Sequence, residues 1–268
     1  MTSADARFAG PLPRCYERYL VPLLFEPYAL DLARRAVALA PRQVLEIAAG
    51  TGIVTRQLAA SLPSARIVAT DLNPDMLAVG RAAAALPQVS WQPADAMQLP
   101  FDDAGFDLLV CQFGAMFFPD KRRAFAEARR VLLPGGRLLF NVWDALPANA
   151  FAAAVQASME ELFPGDPPRF FARTPHGYHD KAAIARDLAA AGFASPPDIE
   201  TVTLQGRAAS AADVAAGFCQ GTPLRNEIEA RAGDPVTAAV VAAAHLERRF
   251  GKGPIRGAMR AHVIWVAA

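Results

Sequence analysis

The sequence predicts an α/β fold: a doubly wound, mostly parallel seven-stranded sheet with helical insertions forming a cap. Three observations carry this. From residue 43 to residue 144 short β-branched or apolar runs alternate with segments of helical spacing, the rhythm of βαβ units. The run GFDLLVCQF, residues 105–113, is apolar almost throughout, as a strand covered on both faces requires. The 268 residues are 53% hydrophobic, enough for one sizeable core.

Taken in order, residues 1–14 contain Gly10, Pro11 and Pro13 and read as a loose arm. CYERYLVPLLFEPYALDLARRAVAL follows, with helical spacing interrupted by Pro22 and Pro27, which predicts two short helices. A first strand is expected at 43–48 and a second in ARIVATD (65–71). PDMLAVGRAAAA (74–85) has proline at the first helical position, a good start signal. QVSWQPAD (88–95) supplies a third strand and 105–113 a fourth. DKRRAFAEARRVLLPGG (120–136) reads as a helix stopped by Pro134-Gly135-Gly136, before a fifth strand, RLLFNVWD (137–144).

After Asp144 the rhythm changes. Residues 145–197 hold one or two helices and a stretch rich in proline, glycine and aromatics, and 198–205 returns as a strand. Residues 210–250 look helical, broken near Gly221-Thr222-Pro223 and Gly233-Asp234-Pro235, and AMRAHVIWVAA (258–268) closes the chain as the last strand. The expected organisation is an N-terminal helical arm or lid (1–42), an α/β core that binds a cofactor (43–144), and substrate-side insertions with the last two strands of the same sheet (145–268).

A formal net charge of +1 gives no electrostatic reason to expect nucleic acid or an anionic membrane as partner. Cys15, Cys111 and Cys219 are far apart and form no Cys/His cluster, so neither a metal site nor a disulfide framework is expected. The opening MTSADARFAGPLPR lacks the apolar core of a secretory signal, and no apolar run approaches the roughly 20 residues that cross a bilayer. A cytoplasmic protein is the expectation.

The chemistry concentrates where the first strand ends. Gly50-Thr51-Gly52 leaves a predicted strand and opens a predicted helix; alone, such a turn is a weak signal. Nineteen positions after Gly52 (71 − 52), Asp71 ends the next strand, and in a doubly wound sheet those two turns lie side by side. Glycine lets a ligand pack on the backbone, and a carboxylate beside it can accept both hydroxyls of a ribose. A dinucleotide wants a third glycine for its pyrophosphate, but that position is Thr55. A nucleoside carrying an amino acid in place of phosphates suits the motif better. Asp95-Ala96, leaving the third strand, can meet an adenine edge.

On VLEIAAGTG, ATDLNPDML, ADAMQLPFDDAGFDLLVCQFGAMFF and ARRVLLPGGRLLFNVWD, the sequence resembles the class I S-adenosylmethionine-dependent methyltransferases, of the broad type that contains quinone-ring C-methyltransferases. The resemblance implies a Rossmann-like fold, S-adenosyl-L-methionine as cofactor (S-adenosyl-L-homocysteine as product) and a small-molecule acceptor. It places Ala48, Gly50, Thr51 and Gly52 along the methionine and ribose, with Glu46 under the loop. Asp71 would hold the ribose hydroxyls, Leu72 and Met76 would flank the adenine, and Asp95 and Ala96 would read its edge. Gln112 would sit near the sulfonium. Ala48 departs from the glycine that many members carry.

Transfer of a methyl group needs no covalent protein intermediate, but some acceptors must first lose a proton. His176 and His179 in TPHGYHD are the candidate bases. The resemblance implies that the N-terminal helix folds over the cofactor, so that Tyr16 or Tyr19 would touch the methionine end, and Phe113, Phe117, Phe118, Phe163, Phe170 and Phe171 can line an acceptor pocket. Each has a plainer reading: Glu46, Asp71 and Asp95 as caps or turn residues, Gln112 as loop, the aromatics as core. Two rival functions stand beside methyl transfer, a nicotinamide-dependent oxidoreductase sharing the nucleotide-binding half and a non-enzymatic cofactor-binding protein. The missing third glycine and Asp95 count against the first. No Asn/Asp-Pro-Pro-aromatic motif follows the fourth strand, where Cys111-Gln112-Phe113-Gly114 stands, which argues against methylation of amino groups on bases.

Overall fold

The computed structural model describes residues 3–268. Its first regular segment is one uninterrupted helical rod: α1 (Leu12–Cys15), a π-helical stretch (Tyr16–Phe25) and α2 (Glu26–Val37). The expected break into two helices does not occur, for two reasons. Pro22 lies inside the π-helical stretch, whose wider turns relieve the crowding and the lost donor of a proline. Pro27 lies in the first turn of α2, where its missing N–H costs little.

The sheet follows the expected alternation. β1 (Gln43–Glu46), α3 (Ile53–Ser61), β2 (Arg66–Asp71), α4 (Pro74–Ala83) and β3 (Val89–Pro93) form one half. β4 (Phe106–Gln112), α5 (Lys121–Val131) and β5 (Leu132–Trp143) begin the other. The helix α5 ends earlier than expected, at Val131, and Pro134-Gly135-Gly136 lies within β5 rather than ahead of it. The pairing with β4 slips there, between Phe106 and Leu108, so the proline and the left-handed Gly135 (φ 78°) fall where the ladder is already interrupted.

The later elements are α6 (Ala150–Leu162), α7 (Phe170–Arg173), α8 (Lys181–Ala190) and β6 (Asp198–Ala208). They continue as α9 (Ala211–Gln220), α10 (Leu224–Ala230), α11 (Pro235–Phe250) and β7 (Ile255–Ala267). The helix breaks expected in 210–250 fall between α9, α10 and α11. Asp180, Ser210 and Asp234 cap α8, α9 and α11 by accepting first-turn N–H groups. The sheet runs β3-β2-β1-β4-β5-β7-β6. β1 to β5 are parallel, and β7 is antiparallel to both its neighbours. Strand order reverses between β1 and β4, so a crevice opens at their carboxyl ends.

The arm that the sequence suggests is loose is tied down over that crevice from Asp5 onward; Met1 and Thr2 lie outside the described residues. Asp5 is buried and pairs with Arg173 (2.5 and 3.0 Å) and with the Thr174 hydroxyl (2.9 Å). Farther along, the Phe8 N–H donates to Asn73 Oδ1 (3.2 Å), Asn73 Nδ2 donates to the Ala6 carbonyl (3.2 Å), and the Gly10 N–H donates to Asp75 (3.3 Å). Partners so distant in sequence explain why proline and glycine content misled.

Gly80 in α4 seats the turn after β1. A Cβ there would stand 2.9 Å from the Trp91 ring and 3.1 Å from the Thr51 carbonyl carbon. Gly80→Ala should therefore destabilise the protein by about 1–3 kcal/mol in urea melts, although alanine is the better helix former by about 1 kcal/mol.

Candidate active site

Between β1 and α3 the chain passes through three left-handed residues: Ala48 (φ 53°), Gly50 (φ 58°) and Gly52 (φ 79°). The turn is held by the Ala49 N–H on the Thr70 carbonyl (2.9 Å) and the Gly50 N–H on Asp71 Oδ2 (2.9 Å). Glycine adopts this conformation freely; a residue with a Cβ loses roughly 1–2 kcal/mol. Ala48 bears that strain, and its methyl is accommodated because the facing residue is Gly114, where any Cβ would collide with it. A Cβ on Gly52 would run into the Trp91 ring.

Two acids brace the turn. Glu46 is buried, and its Oε2 accepts from the Thr55 hydroxyl (2.6 Å). Burial pushes its carboxyl up to about 8, against the Thr55 hydrogen bond, which lowers it. Thr55, at the vacant third-glycine position, thus has a partner of its own. Arg56 joins the turn to the π-helical stretch, donating to the Thr51 carbonyl (2.7 Å) and pairing with Glu17 (2.8 Å). Asp71 is 7% exposed; besides Gly50 it accepts from the Asn73 N–H (2.8 Å). It therefore does organise the start of α4, as the plainer reading has it, and it also lines the cavity. Burial pushes its carboxyl up as well.

A cavity of about 390 Å³ occupies the crevice. Ala48, Gly50, Asp71, Leu72 and Met76 line one end, with Asp95 and Ala96 beside them. Leu72 is at the rim, 58% exposed, and Asp95 also takes the Met97 N–H (2.8 Å) as a turn residue would. Gln112 lies in the wall; its Nε2 donates to the Phe25 carbonyl (3.1 Å), while its Oε1 is buried with no hydrogen-bond partner among the described residues. Glu46, Thr51 and Gly52 do not reach the cavity and support it from behind.

The other end is aromatic. Phe113 stacks on Trp143 (3.8 Å between centroids, 6° between planes), and Phe117, Phe170 and Phe171 add to the wall. Tyr16 lines the cavity too; burial, then the Asp71 carboxylate, pushes its phenol well above the ordinary range, so it keeps its proton. His176 is buried against the cavity with Nδ1 2.8 Å from the Asp144 carbonyl oxygen. Three candidates fall elsewhere. His179 is exposed, its Nδ1 turned back to the His176 carbonyl (2.8 Å). Tyr19 faces α9 at Gly217, with the Arg18 guanidinium over its ring, because its position on the helical rod points away from the crevice. Phe163 packs at Gly233. Sequence reading missed Trp143, which ends β5 at the crevice, as well as Asn73 and the strap residues Ala6 and Phe8. An aromatic at the carboxyl end of a central strand was the available signal for Trp143.

A family described as a methyltransferase domain matches residues 45–140. The chain is 37% identical to a demethylmenaquinone methyltransferase of Deinococcus radiodurans over 134 residues, 49% of this chain and 56% of that one. It is 35% identical to one from Clavibacter sepedonicus over 172 residues, 60% of this chain and 69% of that one. The chain thus spans little more than half the length of the Deinococcus relative. A phosphoethanolamine N-methyltransferase of Haemonchus contortus, solved with phosphomonomethylethanolamine and S-adenosylhomocysteine, shares the fold at a TM-score of 0.58 and 17% identity, over 95% of this chain and 57% of that one. Among the described residues no helix is long and apolar enough to cross a membrane.

Ala48→Gly should raise stability by about 1 kcal/mol by removing the left-handed alanine. Gly114→Ala should be strongly destabilising in the parent and less so in the Ala48→Gly background, read as a double-mutant cycle of urea melts. Glu46 gives a pH test. Its folded value, about 8, lies above the ordinary 4.5, so the folded state holds the proton more tightly. Its contribution is complete below about pH 4.5 and is lost as pH rises through about 8, at no more than about 1.4 kcal/mol per pH unit. Across that window Glu46→Gln should gain stability relative to the parent; parallel pH profiles would contradict the assignment.

Proposed function

We propose that this chain, which belongs to the class I S-adenosylmethionine-dependent methyltransferase family, transfers a methyl group from S-adenosylmethionine to a small apolar acceptor held in the same cavity. The observation that carries this reading is the continuity of one cavity. Its polar end is built on Gly50 and Asp71, and its aromatic end on Phe113 and Trp143.

The residues suit the cofactor. A carboxylate offers about four lone-pair sites, and the backbone donors of Gly50 and Asn73 leave capacity for ribose hydroxyls. Asp95 and Ala96 supply an acceptor and a backbone edge for adenine. The unpartnered Oε1 of Gln112 is a fixed partial negative charge, suited to a sulfonium cation, and the Phe25 carbonyl holds it in place. When bound, S-adenosylmethionine supplies an electrophilic methyl that a nucleophile attacks in line with the S–C bond. The protein's part is to align and to exclude water. The aromatic walls keep the reacting pair dry, and fixed alignment is worth an effective molarity of roughly 10⁵ M or more. Of the lid expected at 1–42, the part from Asp5 onward covers the cavity, through Tyr16 and the strap that carries Phe8.

The relatives named for demethylmenaquinone support a flat, quinone-type ring as acceptor, and the Phe113–Trp143 stack suits such a ring. The oxidoreductase alternative finds no support in the family match or in these relatives.

Asp71→Ala tests the reading. Two charge-assisted hydrogen bonds lost should weaken uptake of S-adenosylhomocysteine about 100-fold in calorimetry, with no uptake of NAD by the parent. A parent that takes up no S-adenosylhomocysteine, or an Asp71→Ala variant that binds it equally well, would overturn it.

A further inference from the structure

Most polar groups at the aromatic end of the cavity are spent on the protein itself. The Asn149 amide donates to the carbonyls of Asp144 (3.2 Å), Ala145 (3.3 Å) and Arg260 (3.2 Å), and its oxygen accepts the Arg260 N–H (3.0 Å). The Thr222 hydroxyl donates to the Phe218 carbonyl (2.7 Å) and accepts the Leu224 N–H (3.2 Å).

His176 differs. Its Nδ1 faces a carbonyl oxygen, which can only accept, so Nδ1 carries the ring proton. Burial pushes the imidazole down to about 4, which keeps it neutral. That assignment leaves Nε2 with its lone pair free. No hydrogen bond among the described residues uses Nε2, and the ring lines the cavity 6.2 Å from the Trp143 ring. The remaining uncommitted polar side chains of the cavity serve the other end: Tyr16 beside Asp71, and Gln112.

The ring is also held from behind. The Asp144 carbonyl that receives Nδ1–H belongs to a residue whose carboxylate pairs with Arg260 (2.5 Å) and accepts the Ala145 N–H (2.6 Å). A buried acceptor fixed in one tautomer selects for a donor, because a ligand without one leaves it desolvated and unmatched.

We infer that His176 is a specificity-determining residue whose Nε2 accepts a hydrogen bond from a hydroxyl on the ring of the methyl acceptor. This rests on the methyl-transfer reading and deepens it: the aromatic end of the cavity prefers a ring bearing a free hydroxyl over the same ring O-alkylated. It also changes the expected role of His176, from proton-abstracting base to a neutral group that recognises and orients.

The test separates this inference from the reading beneath it. Full-length protein saturated with S-adenosylhomocysteine, its uptake confirmed by calorimetry, is titrated with 1-naphthol and with 1-methoxynaphthalene, following tryptophan fluorescence. The parent should bind the naphthol about tenfold more tightly than the ether. In His176→Phe that ratio should fall to about one, with affinity for the ether and for S-adenosylhomocysteine unchanged. His176→Gln, which retains an acceptor, should restore part of the preference; His176→Leu, which lacks one, provides a second variant should the phenylalanine fail to fold. A parent ratio near one, no naphthol binding to the parent, or a ratio that survives in either folded variant without an acceptor would overturn the inference. Failure of S-adenosylhomocysteine uptake in the parent would instead count against the methyl-transfer reading.

Discussion

The hydrogen bond from the Gly50 N–H to the Asp71 carboxylate joins the turn after one strand to the end of its neighbour, and the cavity is arranged around it. It exists because β1 and β2 are parallel and adjacent, so both carboxyl ends emerge on one side. Gly50 itself is left-handed (φ 58°), which turns the chain that follows this N–H toward Gly52 and α3. The cost of a buried acid is met by backbone donors rather than by a cation, which leaves the carboxylate able to accept from a ligand. Glu46, Thr55 and Arg56 keep that turn in shape from the side away from the cavity.

From this junction the molecule changes character over a short distance. On one side are backbone amides and carboxylates, fit for a sugar and a base. On the other are stacked rings and few free polar atoms. The insertions after β5 build the second side without a separate domain: their helices rest on the sheet's antiparallel edge and on the N-terminal rod, and their chain returns to the sheet as β6 and β7. Loops positioned by a rigid sheet are where specificity can change without disturbing the fold.

Sequence reading reached the cofactor half more fully than the acceptor half, for a physical reason. β1, β2, β4 and β5 announce themselves through β-branched or apolar runs, β3 through alternation, and Gly50, Gly52 and Asp71 through turn chemistry, all local properties. The direction a side chain takes is less local. His176 and His179 are three residues apart in one loop, yet one is buried against the cavity and the other is in solvent. Tyr16 and Tyr19 also separate around the helical rod, the first lining the cavity and the second packing at α9. Pro22 and Pro134 misled because their cost is absorbed, by a π-helical turn in one case and a register slip in the other. The strap was illegible because its anchor, Asp5 to Arg173, spans 168 positions.

Asn73 occupies a particular place in this arrangement. Its backbone N–H is given to Asp71, and its side chain grips the strap at both Ala6 and Phe8. A single residue therefore belongs at once to the acid that faces the cavity and to the segment that closes over it. Any ligand that reorients the carboxylate must alter the grip on the strap, and by thermodynamic reciprocity a displaced strap must alter the affinity of the acid. Through Asn73 the position of a short peptide and the state of a buried acid are thereby linked in one network of hydrogen bonds.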